Sequence, residues 1–341
     1  MSNRVSYFDN AKFILIFFVV FGHLLYSYIE VDSVVYSFYK IIYTFHMPAF
    51  ILISGFFAKG FYRKGYVREL TKKLIVPYII FQLVYSVFYY FLRKDSFQVD
   101  IFDPHWSLWF LLSLFCWNVL LFAFTKMRPL FSILLAFAIG LGVGYIDWIS
   151  NYLSLSRTFV FFPLFLLGYY LKKEHFYFIT KPKAKIVSVF TVLIVTIGVI
   201  MFPDINETWF LGSKPYTHFT DETIYGFFSR VGVYILNLVM AASFFSFVPK
   251  KQQFFTKWGR NTLYVYLLHG FFVQTFRESD INQYLYNTQT IIILTLVSLL
   301  LTILLSSRFI TAAFQPLIEL HADKWRNFFQ LSRQKMRNES D

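Results

Sequence analysis

YFDNAKFILIFFVVFGHLL, residues 7–25, opens with an aspartate and a lysine and then runs through apolar residues interrupted by a single histidine. A helix needs about 20 predominantly apolar residues to cross the hydrocarbon core of a bilayer. The apolar run from Phe13 to Tyr28 approaches that length and lacks the A-x-A-like exit of a cleavable signal peptide. It therefore predicts a membrane-spanning helix that is retained.

The composition of the chain extends this prediction beyond one helix. Of the 341 residues, 57% are apolar, 23% are aromatic and 15% are charged, whereas about 25% of residues are charged in an average soluble domain. A soluble domain of this size could not cover so much apolar surface, so lipid must be the solvent for most of it. The single cysteine, Cys116, excludes disulfides within the chain and cysteine-rich metal sites.

Ten predominantly apolar segments predict an all-α integral membrane protein with about ten transmembrane helices. We assign residues 1–312 to one polytopic membrane domain. Residues 313–341 form a basic cytoplasmic tail, which we expect to lie on the inner leaflet as an interfacial helix in contact with membrane lipid. The apolar segments are 11–29, 34–58, 74–92, 106–124, 130–146, 158–171, 186–202, 224–247, 261–276 and 290–310.

Charge gives an independent test of this topology, because cytoplasmic loops carry an excess of Lys and Arg. With the N-terminus inside, the inner segments hold 25 of the 32 basic residues and the outer loops hold 12 of the 19 acids. We therefore expect a multi-pass plasma-membrane protein with both termini in the cytoplasm, and no nucleic-acid partner despite the net charge of +13. The basic residues left in outer segments are Arg93, Lys94, Arg157, Lys214 and Arg277.

Placing a polar or ionisable side chain in the hydrocarbon core of a membrane costs free energy, so each such residue is a functional candidate. His23 follows Lys12 by eleven residues, and at about 100° per residue the two share one helix face. The rise between them is about 16 Å, which places His23 near mid-bilayer and Lys12 at the cytoplasmic boundary. Asp9 lies three residues before Lys12, a spacing at which side chains pair. Taken alone, Asp9 and Lys12 could also be ordinary residues at the membrane–water interface, without a functional role.

Two further histidines fall at similar depth. His46 lies in HMPAFILISGFF, residues 46–57, and His269 lies in NTLYVYLLHGF, residues 261–271. The three histidines could line one polar cavity, or each could simply hydrogen-bond a neighbouring helix. No helix has the H-x-x-x-H spacing of a zinc site and no acid accompanies the histidines at that depth, so we expect no metal. In the first of these segments, Ser54 and Gly55 predict close helix packing.

Other candidate features have an ordinary alternative beside the functional one. The cytoplasmic cluster from Lys59 to Lys73 could attract the phosphates of a nucleotide-like cofactor, although topology alone would produce it. Trp106 and Trp109 suit stacking on a sugar ring or the interfacial aromatic belt, and the belt is favoured. The chain has no P-loop, dinucleotide-binding or G-x-S-x-G motif.

Four segments in order resemble the membrane-bound acyltransferase-3 family, in particular its fucose 4-O-acetylase-like branch. They are residues 7–25, in which Asp9, Lys12 and His23 match an Asp-x-x-Arg motif with a histidine eleven residues on, together with HMPAFILISGFF, SLWFLLSLFCW (residues 107–117) and NTLYVYLLHGF. The resemblance covers almost the whole chain. It implies an O-acyltransferase, acetyl being usual, that uses cytoplasmic acetyl-CoA and a hydroxyl of a cell-surface glycan or its lipid-linked precursor.

The resemblance also implies roles for particular residues. The family's essential histidine corresponds to His23, which would act as general base or as an acyl carrier. From its depth, which is similar to that of His23, rather than from the resemblance, we expect His46 to bind the developing oxyanion or orient the acceptor. We expect Lys12, with Asp9 nearby, and Lys72 and Lys73 to contact CoA. Arg is usual at the position of Lys12, and Lys lacks its bidentate fork.

Two other classes of protein compete with this interpretation. A glycan or lipid-linked sugar transporter would use the intramembrane histidines as a proton relay. A membrane scaffold or sensor would use them structurally. No internal repeat is found, which disfavours transporters built from two related halves. The sequence leaves the acceptor sugar, the acyl group and the oligomeric state open.

Overall fold

The computed structural model describes residues 6–93, 97, 99–149, 152–284, 286 and 289–319, and this part of the chain is helical without a strand. A helix lies at each of the ten predicted apolar segments, which confirms the all-α prediction. These helices are α1 Ser6–Leu25, α2 Ser33–Phe57, α3 Val76–Arg93, α4 Trp109–Phe124, α5 Pro129–Gly142, α6 Leu155–Tyr170, α7 Pro182–Met201, α8 Thr223–Phe247, α9 Thr262–Glu278 and α10 Thr290–Leu305. The helix α11, Arg308–Glu319, follows them.

Length and composition separate these helices into two groups. Six helical segments in the described ranges are long and apolar enough to cross a membrane, and α10 with α11, bent by 62°, would make a seventh span. The apolar helices α4 and α5 are shorter. Ten crossings, and the side on which the termini lie, therefore stay predictions. The six segments are Ser6–Tyr28, Ser33–Gly60, Tyr66–Arg93, Tyr152–Tyr170, Pro182–Met201 and Thr223–Phe247.

Helix α1 lies inside the bundle, where it packs against α2, α9 and α10. Fourteen of its twenty residues are buried, including Asp9 and Asn10 near its start. In α7, by contrast, two residues of twenty are buried, and Ile194 and Met201 are more than 60% exposed. An apolar surface that the protein leaves open suits lipid. The polar residues of α1 are thus enclosed by protein, whereas α7 presents its apolar surface outward.

Helices α2 and α6 approach each other closely. A Cβ added at Gly55 would lie 2.0 Å from the carbonyl oxygen of Phe165, and one added at Gly168 would lie 2.1 Å from that of Leu52. Glycine allows this approach because it has no side chain. The packing predicted for Gly55 is confirmed, and it fixes the part of α2 that follows His46.

The predicted cytoplasmic tail is described only in part. Helix α11 begins before the predicted boundary at residue 312 and continues to Glu319, whose carboxylate accepts a hydrogen bond from the Tyr264 hydroxyl. Ile318 is 1% exposed, so this end of the helix is packed on the bundle. The rest of the tail, residues 320–341, lies outside the described residues.

Candidate active site

The three histidines that we predict to lie within the membrane are close together, one each on α1, α2 and α9. The rings of His23 and His269 stack with centroids 5.5 Å apart. The Tyr43 hydroxyl lies 3.1 Å from Nδ1 of His23, and the Tyr43 ring lies 4.6 Å from that of His46. Helix packing thus brings together residues that are separated by up to 246 positions in the chain.

The histidines differ in their hydrogen bonds and in their exposure. Nδ1 of His46 donates to the carbonyl of Ile42, and Nδ1 of His269 lies within 3.0 Å of the carbonyls of Val265 and Tyr266. His46 is 2% exposed and His269 is fully buried, while His23 is partly exposed. Since each neutral imidazole has one N–H, Nε2 of His46 and of His269 is left as an acceptor. The structural alternative had each histidine bonding a neighbouring helix, but His46 and His269 bond carbonyls of their own helices. His23 bonds a neighbouring helix, through Tyr43 of α2.

Trp106 covers this cluster from the α3–α4 loop. Its ring centroid lies 4.3 Å from that of His23 and 5.4 Å from that of His269. The backbone of Trp106 has φ +32°, which non-glycine residues rarely adopt. Outliers of this kind cluster at functional sites. The ring of Trp106 therefore contacts the histidine cluster, and its place in the aromatic belt stays a prediction.

A cavity of about 250 Å³ opens from His23 toward the end of the bundle where α1 finishes and α9 ends. We call it the outer cavity. Aromatic rings form most of its wall, and the guanidinium groups of Arg157 and Arg277 lie at it. Arg277 donates a hydrogen bond to the His23 carbonyl and lies over the Trp106 ring. The wall consists of His23, Tyr26, Tyr39, Tyr43, His46, Met47, Trp106, Ser107, Trp109, Arg157, Phe161, Phe210, Leu211 and Arg277.

A second cavity, of about 130 Å³, lies on the opposite side of His23, toward the end of the bundle where α1, α3 and α9 begin. We call it the inner cavity. Its wall is almost entirely apolar and includes Ile16, Val19, Phe50 and Leu74. Four residues line both cavities: His23, Met47, Ser107 and Trp109. The two cavities therefore meet at His23.

A third, larger and polar cavity of about 680 Å³ adjoins the outer cavity, with which it shares Tyr26, Trp106 and Arg277. Its wall includes Arg93, which forms a salt bridge of 2.8 Å with Glu278. His105 also lines it and shares a hydrogen bond of 2.8 Å with the Ser86 hydroxyl. Burial lowers the pKa of His105, so its ring is neutral near pH 7.

Asp9 and Lys12 pair as their spacing predicts, with 3.2 Å between Oδ1 and Nζ. Asp9 is 2% exposed, and its second oxygen lies 3.5 Å from Nε of Arg260. A Cβ at Gly259 would meet the Asp9 carbonyl at 1.8 Å. These contacts fix the start of α1 against the segment before α9. They leave the proposed contact of Lys12 with CoA as a prediction.

Lys72 and Lys73 lie on the exposed surface at the start of the third span. Lys73 forms a salt bridge of 2.7 Å with Glu69. In the part of the chain that the structure describes, neither lysine forms a hydrogen bond or a salt bridge with the Asp9–Lys12 pair. The next residue, Leu74, lines the inner cavity, so both lysines lie close in sequence to its wall. In the same described ranges no group of three His, Cys, Asp or Glu residues could hold a metal ion.

The sequence did not identify Tyr43, Ser107, Arg157 or Arg277 as site residues. For the two arginines a signal was present, because both depart from the rule that outer segments are poor in basic residues. The Ser107 hydroxyl is buried and has no hydrogen-bond partner among the residues described. A buried hydroxyl without a partner requires a reason, and no sequence pattern predicts one.

Comparison with known proteins gives a match over nearly the whole chain. The acyltransferase-3 family model, described as an acyltransferase domain, matches residues 5–307. Nodulation protein NolL of Sinorhizobium fredii (strain NBRC 101917 / NGR234) is 32% identical over 139 residues. That match covers 36% of this chain and 38% of NolL, so it spans well under half of the relative's length. No solved structure matches the chain.

Proposed function

This chain belongs to the acyltransferase-3 family, whose model covers nearly all of it, and we propose that it is a membrane-bound O-acyltransferase. It moves an acyl group, acetyl in the first place, from cytoplasmic acyl-CoA to a hydroxyl of a cell-surface glycan or its lipid-linked precursor. It does so in the plasma membrane. The observation that carries this proposal is the meeting of two cavities of different chemistry at His23.

The inner cavity suits the donor. Its apolar wall would accept the acyl group and the adjoining part of the pantetheine arm, while excluding water that would hydrolyse the thioester. The charged part of CoA would stay outside the bilayer. Lys12, Lys72 and Lys73 are the cations that we assign to its phosphates, since all three lie at the end of the bundle toward which this cavity extends.

The outer cavity suits the acceptor. Sugars present apolar ring faces and hydroxyl edges, and this wall combines aromatic rings with polar groups. Trp106 and Trp109 would contact the sugar ring. His46 also lines this cavity, and because its Nδ1 bonds the Ile42 carbonyl, its Nε2 is left as an acceptor. We therefore assign His46 to orienting the acceptor through a neighbouring hydroxyl of the sugar, rather than to donating to an oxyanion.

In direct transfer, His23 is the general base. Nδ1–H of His23 donates to the Tyr43 oxygen, so that the lone pair of Nε2 takes the proton of the attacking hydroxyl. The hydroxyl oxygen bonds to the thioester carbonyl carbon. Collapse of the tetrahedral intermediate breaks the carbon–sulfur bond, and the CoA thiolate receives the proton from His23. The Ser107 hydroxyl, which lines both cavities, would donate to the oxyanion.

In the relay form of the reaction, Nε2 of His23 attacks the thioester and carries the acyl group. The released thiolate leaves through the inner cavity. The acceptor hydroxyl then attacks the acyl-imidazole from the outer cavity and loses its proton to solvent on that side, while the thiolate takes a proton from solvent on the CoA side. The position of His23 in both walls suits either form.

The experiment that tests the function measures ester on the surface glycan, by NMR before and after mild alkali. Cells would carry the wild type, His23→Ala, His218→Ala or no protein. His218 is an exposed histidine of the outer loop that lines none of these cavities, so it is the matched control. We expect alkali-labile ester with wild type and His218→Ala only. Unchanged ester with altered export of glycan would instead support a transporter.

A further inference from the structure

Two cations line the outer cavity. Arg157 and Arg277 are both on its wall, and that wall contains no Asp or Glu among the residues described. In the third cavity, Arg93 forms a salt bridge with Glu278. Arg277 lines both of these cavities, so Arg157 is the cation that lines the outer cavity and not the third.

Arg157 has the more unusual surroundings of the two cations. Its guanidinium lies 5.2 Å from the centre of the Trp109 ring and forms no hydrogen bond or salt bridge within the described part of the chain. Asp103 is the carboxylate that acts on it electrostatically, but Asp103 is exposed on the loop and does not contact it. Arg157 lies in the first turn of α6, half-buried against aromatic rings.

A cation held among apolar rings loses hydration that the ring contact restores only in part. Ionisable groups at membrane depth usually pair with an opposite charge or serve a transported or bound group. The planar guanidinium matches a carboxylate or a phosphate through two parallel hydrogen bonds. Arg157 is therefore placed to pair with an anion that enters the cavity.

We infer that the acceptor carries an anionic group, a carboxylate or a phosphate, beside the hydroxyl that is acylated, and that Arg157 pairs with it. This inference rests on the proposed acyl transfer at His23. The anion belongs to the acceptor rather than to the acyl group, because no Lys or Arg is among the described residues that line the inner cavity. Arg157 would then determine which glycan residue is modified.

The test uses the full chain in proteoliposomes with radiolabelled acetyl-CoA. The acceptor is the de-esterified glycan and lipid-linked saccharide fraction from cells that lack the gene. It is offered untreated, after reduction of its carboxylates, and after removal of its phosphates. The variants are Arg157→Gln, Arg157→Lys and, as control, Lys214→Gln, which removes an outer cation that lines none of these cavities.

We expect label on the untreated acceptor and its loss after one of the two treatments, which identifies the anion as carboxylate or phosphate. Arg157→Gln should raise the acceptor KM about 10- to 100-fold, the range for a hydrogen bond to a charged group. Arg157→Lys should recover part of this loss, and Lys214→Gln should have no effect. If Arg157→Gln does not reach the membrane, the two neutralised acceptors decide the question alone.

Three results would overturn the inference, and they differ from one another. Equal labelling of the untreated and neutralised acceptors would leave acyl transfer standing with a neutral acceptor. An Arg157→Gln defect with succinyl-CoA but not with acetyl-CoA would place the anion on the donor. Absence of label on every acceptor would overturn the proposed function itself.

Discussion

The Tyr43 hydroxyl lies 3.1 Å from Nδ1 of His23 and joins α2 to α1 beside the point where the two cavities meet. Among the described residues Tyr43 is the one hydrogen-bond partner of this imidazole. When Nδ1 carries the proton and Tyr43 accepts it, Nε2 is left as the basic nitrogen. The partner of one ring nitrogen thus determines what the other can do.

We therefore expect Tyr43→Phe to lower kcat about 3- to 10-fold, because one hydrogen bond of about 0.5–1.5 kcal/mol is lost. Single-turnover transfer from acetyl-CoA would measure this directly. Tyr145→Phe, on an exposed tyrosine away from the site, is the control. A Tyr43→Phe enzyme with wild-type kcat would show that Tyr43 does not position His23.

Ser107→Ala tests the assignment of an oxyanion donor. The Ser107 hydroxyl is buried at both cavities and has no hydrogen-bond partner among the residues described. Removal of one such donor costs about 10²-fold in kcat with little change in KM. Ser188→Ala is the matched control, since the Ser188 hydroxyl bonds its own helix on α7. An effect on KM alone would assign Ser107 to substrate binding instead.

Gly55→Ala tests the contact that holds α2 against α6. The new methyl group would lie 2.0 Å from a backbone oxygen, and backbone cannot move aside as a side-chain tip does. Overpacking of this kind costs about 1–3 kcal/mol or more, so we expect a lower melting temperature in detergent. Gly198→Ala on α7 has nothing within 4 Å of the added Cβ and should not lower the melting temperature, because alanine favours the helix more than glycine does. Equal stability of the two variants would contradict the packing.

The sequence predicted the parts of the site that depend on helix period. Asp9, Lys12 and His23 share one helix, so a spacing of three or eleven residues is enough to relate them. The Asp9–Lys12 pair is confirmed by its distance of 3.2 Å. Depth alone left two possibilities for His23, His46 and His269, one shared cavity or separate bonds to neighbouring helices. The structure places the three rings together, and His23 and His46 line the outer cavity.

What could not be predicted depends on loops and on contacts between helices. Trp106 reaches His23 because the α3–α4 loop turns inward through a backbone conformation that its sequence does not indicate. Arg157 and Arg277 begin and end different helices, and only packing brings them to one cavity. The hydrogen bonds of His46 and His269 to their own helices are local, yet depth alone did not separate them from a catalytic role.

The inner cavity provides the last prediction, because its size should limit the acyl group. Phe50 lines this cavity and not the outer one. Phe50→Ala would create room for a longer chain, and two further methylene groups contribute about 1.6 kcal/mol when buried. We therefore expect kcat/KM for butyryl-CoA relative to acetyl-CoA to rise about 10-fold. Phe190→Ala, on the outward surface of α7, should leave this ratio unchanged. If Phe50→Ala also leaves it unchanged, the acyl group does not occupy the inner cavity, and the donor must reach His23 by another route.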